Sequence, residues 1–539
     1  MRLLACLFLA LLTLAASCDP PEDVPTPSPS TAALPSPSPT VVTRTLRHAL
    51  AEPMSIVPPE AAGREAATVV DALFDSLTTY DEDLDVVPAA ASRWTSNAEA
   101  TVWLFTLRQG ALFHDESPVT ADDFAFAWHL AMSRPDVAFH LRDVAGWREV
   151  REGGAASLRG LRVIDDASLE VTLTRGNADF PAIVGHPALG PVNRRLWQED
   201  PEAQREQPSG NGPFQAAQRS RGRFLRVTRF EKWRNGQGPN VDEVLFRFLA
   251  PDAGYVAFQQ GTVDVAELPD GSLDEARAHP AATVVDGPTP NLYYLGMNTH
   301  APPFDDPEVR RALSLAIDRE RLTTELLEGN ADPATAITSP VLPGAADDPC
   351  GGCVYDPTGA RRVFRARDID VLTLSFSEGG GHDHVAGLIR QDLSAAGVRL
   401  RLDSQPFAEY LQALTAGEPQ LFRFGWAPEY PTLEAVLTPL IRSAEKPGED
   451  GSRNYGRFLD DLVDARMDQA RTTLSPALRA RRYNAAERMA LDAQAIVPLF
   501  TYRLRTVVSE RVSGVRVDPL GRVHLEDAQV VDPRPTPSG

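Results

Sequence analysis

A cysteine pair and a short histidine cluster are the residues of this chain with the most chemistry to offer. Cys350-Gly351-Gly352-Cys353 has C-x-x-C spacing, which suits a local disulfide, half of a four-sulfur zinc site or a redox pair. A zinc site needs a second cysteine pair, yet the other two cysteines, Cys6 and Cys18, both lie near the N-terminus. A redox pair needs a strand and a helix around it. Asp347, Asp348 and Pro349 before the motif and Tyr355-Asp356-Pro357 after it read as loop. Gly379-Gly380-Gly381-His382-Asp383-His384 offers imidazole and carboxylate, but two histidines one residue apart cannot complete a metal shell. Asp383 reads better as an acid at a helix N-terminus. G-x-S-x-G, H-E-x-x-H and P-loop motifs are absent, so acyl transfer, zinc proteolysis and nucleotide hydrolysis lack their usual placements. The chain therefore reads as a non-enzyme with no metal and no cofactor.

Arg2 followed by the apolar run Leu3 to Ala16 has the form of an export signal, too short to span a bilayer permanently. Leu14-Ala15-Ala16-Ser17-Cys18 resembles a bacterial lipobox. The expectation is a lipoprotein signal peptide over 1–18, with Cys18 lipidated and the protein facing the periplasm or cell exterior. That compartment favours a disulfide between Cys350 and Cys353. Residues 19–42 are rich in Pro, Ser and Thr and cannot bury a core, so they read as an extended tether. A formal charge of −21 argues against nucleic acid or an anionic membrane surface as partner.

The 539 residues exceed what one hydrophobic core supports, so at least two lobes are expected. Helix and strand signals are interleaved, which predicts an α/β architecture. Leu161 to Ile164 and Ser168 to Leu173 read as two strands around a turn. Asp306 caps a helix from Pro307 carrying Val309, Ala312, Leu313 and Ala316 on one face, and a helix from His384 to Ala396 ends at Gly397.

Trp103 to Gly110 reads as a strand alternating Trp103, Phe105 and Leu107, and Thr120 caps a helix with Asp122 and Asp123 in its first turn. This stretch, with Phe113-His114-Asp115-Glu116 between, resembles the signature of the family 5 extracellular solute-binding proteins, which serve ABC importers of oligopeptides, dipeptides and nickel complexes. Further blocks match in order: Ser209 to Phe214, Glu231 to Gly236, Gly261 to Val265, Asn291 to Asn298, Val309 to Arg319, Tyr355 to Pro357 and Ala495 to Pro498. The resemblance implies a two-lobed periplasmic-binding-protein-like fold, type II, of the large peptide-binding cluster, with hinge strands. Lobe I would span 43–286 and 500–539, and lobe II 287–499. It also implies a monomer that hands its ligand to permease subunits and their ATPases.

In Leu421 to Pro431, the resemblance puts Glu429 where oligopeptide binders carry an Asp facing the peptide's ammonium group. Arg423 falls where some carry an arginine that meets the peptide carboxylate, a task suited to a planar guanidinium. Together they imply a short peptide or peptide-like zwitterion. Trp426 and Tyr430 would wall the pocket, with Tyr293, Tyr294 and Asn298 near the hinge as further candidates. A metal chelate or oligosaccharide as ligand, or a hydrolase or non-transport surface protein on the same fold, are the alternatives.

Overall fold

The computed structural model describes residues 43–531, apart from 236–237, 328, 348–349, 445–446 and 449–450. The chain divides into two units, Met1–Val42 and Thr43–Gly539. The expected signal segment, Cys18 and the tether all belong to the first and lie outside the described residues.

Eleven strands form one mixed sheet. They are β1 (Thr45–Leu50), β2 (Phe214–Ser220), β3 (Phe224–Arg229), β4 (Glu243–Phe248), β5 (Val265–Glu267), β6 (Ala282–Met297), β7 (Ala331–Pro333), β8 (Val371–Ser377), β9 (Arg399–Gln405), β10 (Leu421–Trp426) and β11 (Ile496–Ser509). The spatial order is β9-β8-β10-β6-β11-β5-β1-β4-β3-β2, with β7 paired to β11 off that path. A separate four-stranded sheet combines Ala91–Ser96, Val102–Leu107, Leu161–Asp165 and Ser168–Thr172. In it Trp103, Phe105 and Leu107 are buried against Phe124 and Trp128 of helix α1 (Ala121–Ala131). This is the period-two alternation that one-sided burial demands.

β6 and β11 are antiparallel and long enough that β11 pairs with β5 at one end while β6 pairs with β10 at the other. Their register runs from Ala282 opposite Ser509 to Pro288 opposite Arg503, then resumes with Leu292 opposite Thr501. The break has a local cause: Pro288 and Pro290 lack the N–H that a ladder needs. Thr289 bridges the gap, its hydroxyl donating to the Tyr502 carbonyl at 2.8 Å. Arg503 clasps the same place, 2.8 Å from Asp286 and 2.8 Å from Asp332.

Beyond the break the strands bury both faces. Tyr293, Leu295 and Met297 pack with Leu372, Leu374 and helix α2 (Pro307–Leu315) on one side. Leu292 and Tyr294 pack on the other side, among helices α4 (Leu433–Ile441), α5 (Asp461–Arg471) and α6 (Pro476–Asp492).

The expected caps are present. Asp123 accepts the Thr120 N–H at 2.9 Å and its hydroxyl at 2.7 Å, and Asp306 accepts the Glu308 N–H at 2.9 Å. Helix α3 runs His382–Ala395, starting two residues earlier than the sequence suggested, because the left-handed Gly379, Gly380 and Gly381 finish the turn before it. Gly210 and Gly212 pass so close to Leu73 that a Cβ on either would lie within 2.5 Å of its backbone. Cys350 and Cys353 are bonded, with their Cα atoms 5.6 Å apart. Among the described residues no helix is long and apolar enough to cross a membrane.

Candidate ligand-binding site

β10 places Arg423 opposite Leu295 of β6, and so on the same face as Tyr293. The guanidinium carbon lies 4.4 Å over the Tyr293 ring, a cation–π contact. Around it stand Tyr410, whose hydroxyl donates to the Arg423 carbonyl, Tyr502, and His382 at the start of α3, whose Nδ1 is 3.5 Å from the Tyr293 hydroxyl. Burial, reinforced by the Arg423 charge, lowers His382 to about 4, so this imidazole is neutral at physiological pH. Burial raises the Tyr293, Tyr410 and Tyr502 phenols, which stay protonated. Among the described residues no carboxylate pairs with Arg423, and its Nε is buried without a hydrogen-bond partner. A half-buried cation in an aromatic setting, with no acid partner among the described residues, carries a desolvation cost that an anion would offset.

The chain leaves β10 through Ala427 to Thr432, and Thr432 then caps α4 by accepting the Ala435 N–H at 3.2 Å. Trp426 is fastened by its indole N–H, 2.8 Å from the Ala435 carbonyl. Glu429 is half exposed, with Oε2 3.4 Å from His186 Nε2. Burial opposes its charge, but the hydrogen bond from His186 outweighs it and holds the carboxyl at about 2. The His140 and His186 rings stack at 4.3 Å. Burial, with His186 next, keeps His140 well below its ordinary value and therefore neutral.

Tyr430 points the opposite way, into the protein. Its hydroxyl donates to Glu434 at 2.7 Å, and Arg142 reaches Glu434 at 3.3 Å. Arg471 pairs with Asp143 and lies 3.8 Å from Glu434, while Arg479 holds Asp179 at 2.9 Å. Arg142, Asp143, Glu434 and Arg471 are all under 10% exposed at the side chain, so each needs its partners.

The seven side chains proposed from sequence thus fall into separate settings, with Tyr293 under the Arg423 guanidinium. Arg423 and Glu429 do not pair with each other: Arg423 faces aromatics and Glu429 faces His186. Trp426, at the end of the strand, is half buried on the face opposite Arg423, packed with Leu292 and Tyr294. Tyr430 and Tyr294 are buried, the one in the ion network and the other against Phe424. Asn298 pins a turn, donating to the Gly417 carbonyl at 3.2 Å and accepting the His300 N–H at 3.1 Å. His382, His140, His186 and Arg142 escaped the sequence reading as site residues. Only His382 carried a signal, a histidine at a helix start directly after three glycines.

An α/β molecule whose sheet is continued by two long strands past a register break, with Arg423 on the strand beside them, has the architecture of the two-lobed periplasmic binding proteins. The sequence model described as bacterial extracellular solute-binding proteins, family 5 Middle, matches residues 85–448. The chain belongs to that family, and its function is to bind a solute. It is 24% identical over 500 residues to the dipeptide-binding protein DppE of Bacillus subtilis strain 168, covering 88% of this chain and 90% of that one. The periplasmic murein peptide-binding protein MppA of Escherichia coli strain K12 is also 24% identical, over 88% of this chain and 90% of its own. A solved structure of MppA in its unliganded open form matches with a TM-score of 0.79 at 23% identity, over 90% of this chain and 97% of that one. HbpA2 from Haemophilus parasuis matches equally at 0.79, with 20% identity over 90% of this chain and 99% of that one. Both likenesses concern the fold.

Proposed function

We propose that this protein captures a short peptide or peptide-like zwitterion outside the cytoplasm and delivers it to the permease of an ABC importer. The observation that carries this is Arg423, a half-buried guanidinium without an acid partner among the described residues, on the same strand and loop as the ionised, half-exposed Glu429. A ligand carboxylate would satisfy the first and a ligand ammonium the second. Trp426 and Tyr294 lie on the other face of the strand and would hold it in place, while Tyr430 and Asn298 fix the segments on either side. Relatives whose names state dipeptide, oligopeptide and murein peptide binding support the ligand class.

The two lobes, 43–286 with 500–539 and 287–499, would meet where β6 and β11 lose register, and the ligand would favour their closed arrangement. No bond chemistry is assigned to the protein. Cys18 would carry the lipid that holds it to the membrane, which Cys18→Ala would test by moving the protein to the soluble fraction.

The direct test is isothermal titration against pools of di- to pentapeptides, with Arg423→Ala and Glu429→Ala beside the parent. Binding by the parent that both variants lose supports the reading. Equal affinity in all three removes the site, and steady hydrolysis of the peptides removes the binding-only function.

A further inference from the structure

We propose that His140, His186 and Glu429 form a binding site for a divalent transition-metal ion. One donor atom from each lies within 4.8 Å of the others, although the three residues come from distant parts of the chain. The 3.4 Å between His186 Nε2 and Glu429 Oε2 is long for a charge-assisted hydrogen bond, which prefers roughly 2.7–2.9 Å. It is about the separation of two donors held roughly 2.1 Å from one tetrahedral zinc, and the His140 donor, within 4.8 Å of both, would close in to complete the set.

A second observation points to a missing partner: His140 is 3% exposed, and its Nδ1 is buried without any hydrogen bond. A buried imidazole nitrogen in that condition is costly unless something binds at the ring. The donor set fits as well, since two imidazoles and one carboxylate match the ligand set of open zinc sites and the carboxylate neutralises half of a dication. Glu429 is half exposed, so the remaining coordination positions face solvent and can take water or a ligand's own donor atoms.

The ion costs the His140–His186 stack, because an imidazole donates in its own plane and one ring must turn for both to aim at one point, and it costs one hydrogen bond. His186 Nδ1 accepts the Ala188 N–H at 3.2 Å, which puts the ring proton on Nε2. Metal on Nε2 moves that proton to Nδ1 and opens the Ala188 contact.

The site shares Glu429 with the peptide reading but does not need a peptide, so the test uses metal alone. Zn2+ is titrated calorimetrically into the purified protein, and Co2+ is followed by its visible absorption. Binding of one ion with micromolar or tighter affinity is expected, with intense Co2+ bands of tetrahedral type. Glu429→Gln, at a half-exposed position where folding is not at stake, and His186→Ala should each weaken Zn2+ at least tenfold. His384→Ala, which removes the exposed imidazole 3.7 Å from Asp383, should change nothing. No stoichiometric binding by the parent, or parent-like binding by Glu429→Gln, overturns the proposal. If Glu429→Ala loses peptide while the parent ignores Zn2+, the metal site falls and the peptide reading stands; Zn2+ binding without peptide binding gives the reverse.

Discussion

The surroundings of Arg423 and of Glu434 hold similar charges in opposite states of satisfaction. Arg423 has aromatic neighbours, a neutral His382 and no acid partner among the described residues. Glu434, fully buried, takes the Tyr430 hydroxyl on one oxygen and Arg142 on the other, with Arg471 and Asp143 completing the cluster. A buried charge that is already matched inside the protein has nothing to offer a ligand, and its role is to fix the segments that meet there. One that is left unmatched is a cost the protein recovers when a ligand arrives. The loop from Glu429 to Glu434 joins the two kinds of site, which explains how Tyr430 can be one residue from the candidate anchor and still belong to the scaffold.

The sharpest way to break this contrast is to remove Glu434. Glu434→Ala leaves Arg142 and Arg471 short of an anion in a buried setting and should lower unfolding stability by about 3–5 kcal/mol, read from urea denaturation. A loss under about 1 kcal/mol would show that the cluster is not a supporting element. Arg423→Ala should do the reverse. Affinity for a zwitterionic peptide should fall about 100-fold, as expected for losing one side of a desolvated charge pair. Stability should stay within about 1 kcal/mol of the parent, because no internal ion pair is broken.

The strands at Trp103 to Leu107 and at Leu161 to Leu173 and the two helix caps were legible in the sequence, because each rests on local rules. The alternation of Trp103, Phe105 and Leu107, the Thr120 cap and the Asp306 cap depend on neighbours a few residues away. So did the disulfide, whose cysteines are three positions apart. The ion network was not legible, since Arg142, Asp143, Glu434 and Arg471 meet only through tertiary packing and no spacing links them. The same applies to His140 and His186 beside Glu429. Tyr294 shows a third situation: its segment matched as a family block, but which face of β6 looks toward the α4–α6 helices depends on the sheet's position between two layers. The register break at Pro288 and Pro290 could have been read from the two prolines, yet its use as a crossing point required the pairing with β11.

Smaller effects sharpen the picture at the strand that links both regions. Trp426→Phe keeps the aromatic packing but removes the indole N–H that meets the Ala435 carbonyl, which should cost about 1 kcal/mol in denaturant unfolding. A much larger loss would mean that Trp426 belongs to the core more than to the site.

The gentlest probe is the titration of His382. Its ring is held at about 4 by burial and then by Arg423. As pH falls below the ordinary histidine value of 6.5, the unfolded chain takes a proton that the folded one refuses, so His382 contributes stability that is lost between 6.5 and about 4. Arg423→Ala removes one of the two causes. The His382 pKa followed by NMR should rise toward 6.5, and the slope of stability against pH in that window should become shallower. An unmoved His382 would mean that burial alone sets its pKa and that the Arg423 charge is screened from it, which would weaken the case for Arg423 as an unsatisfied cation.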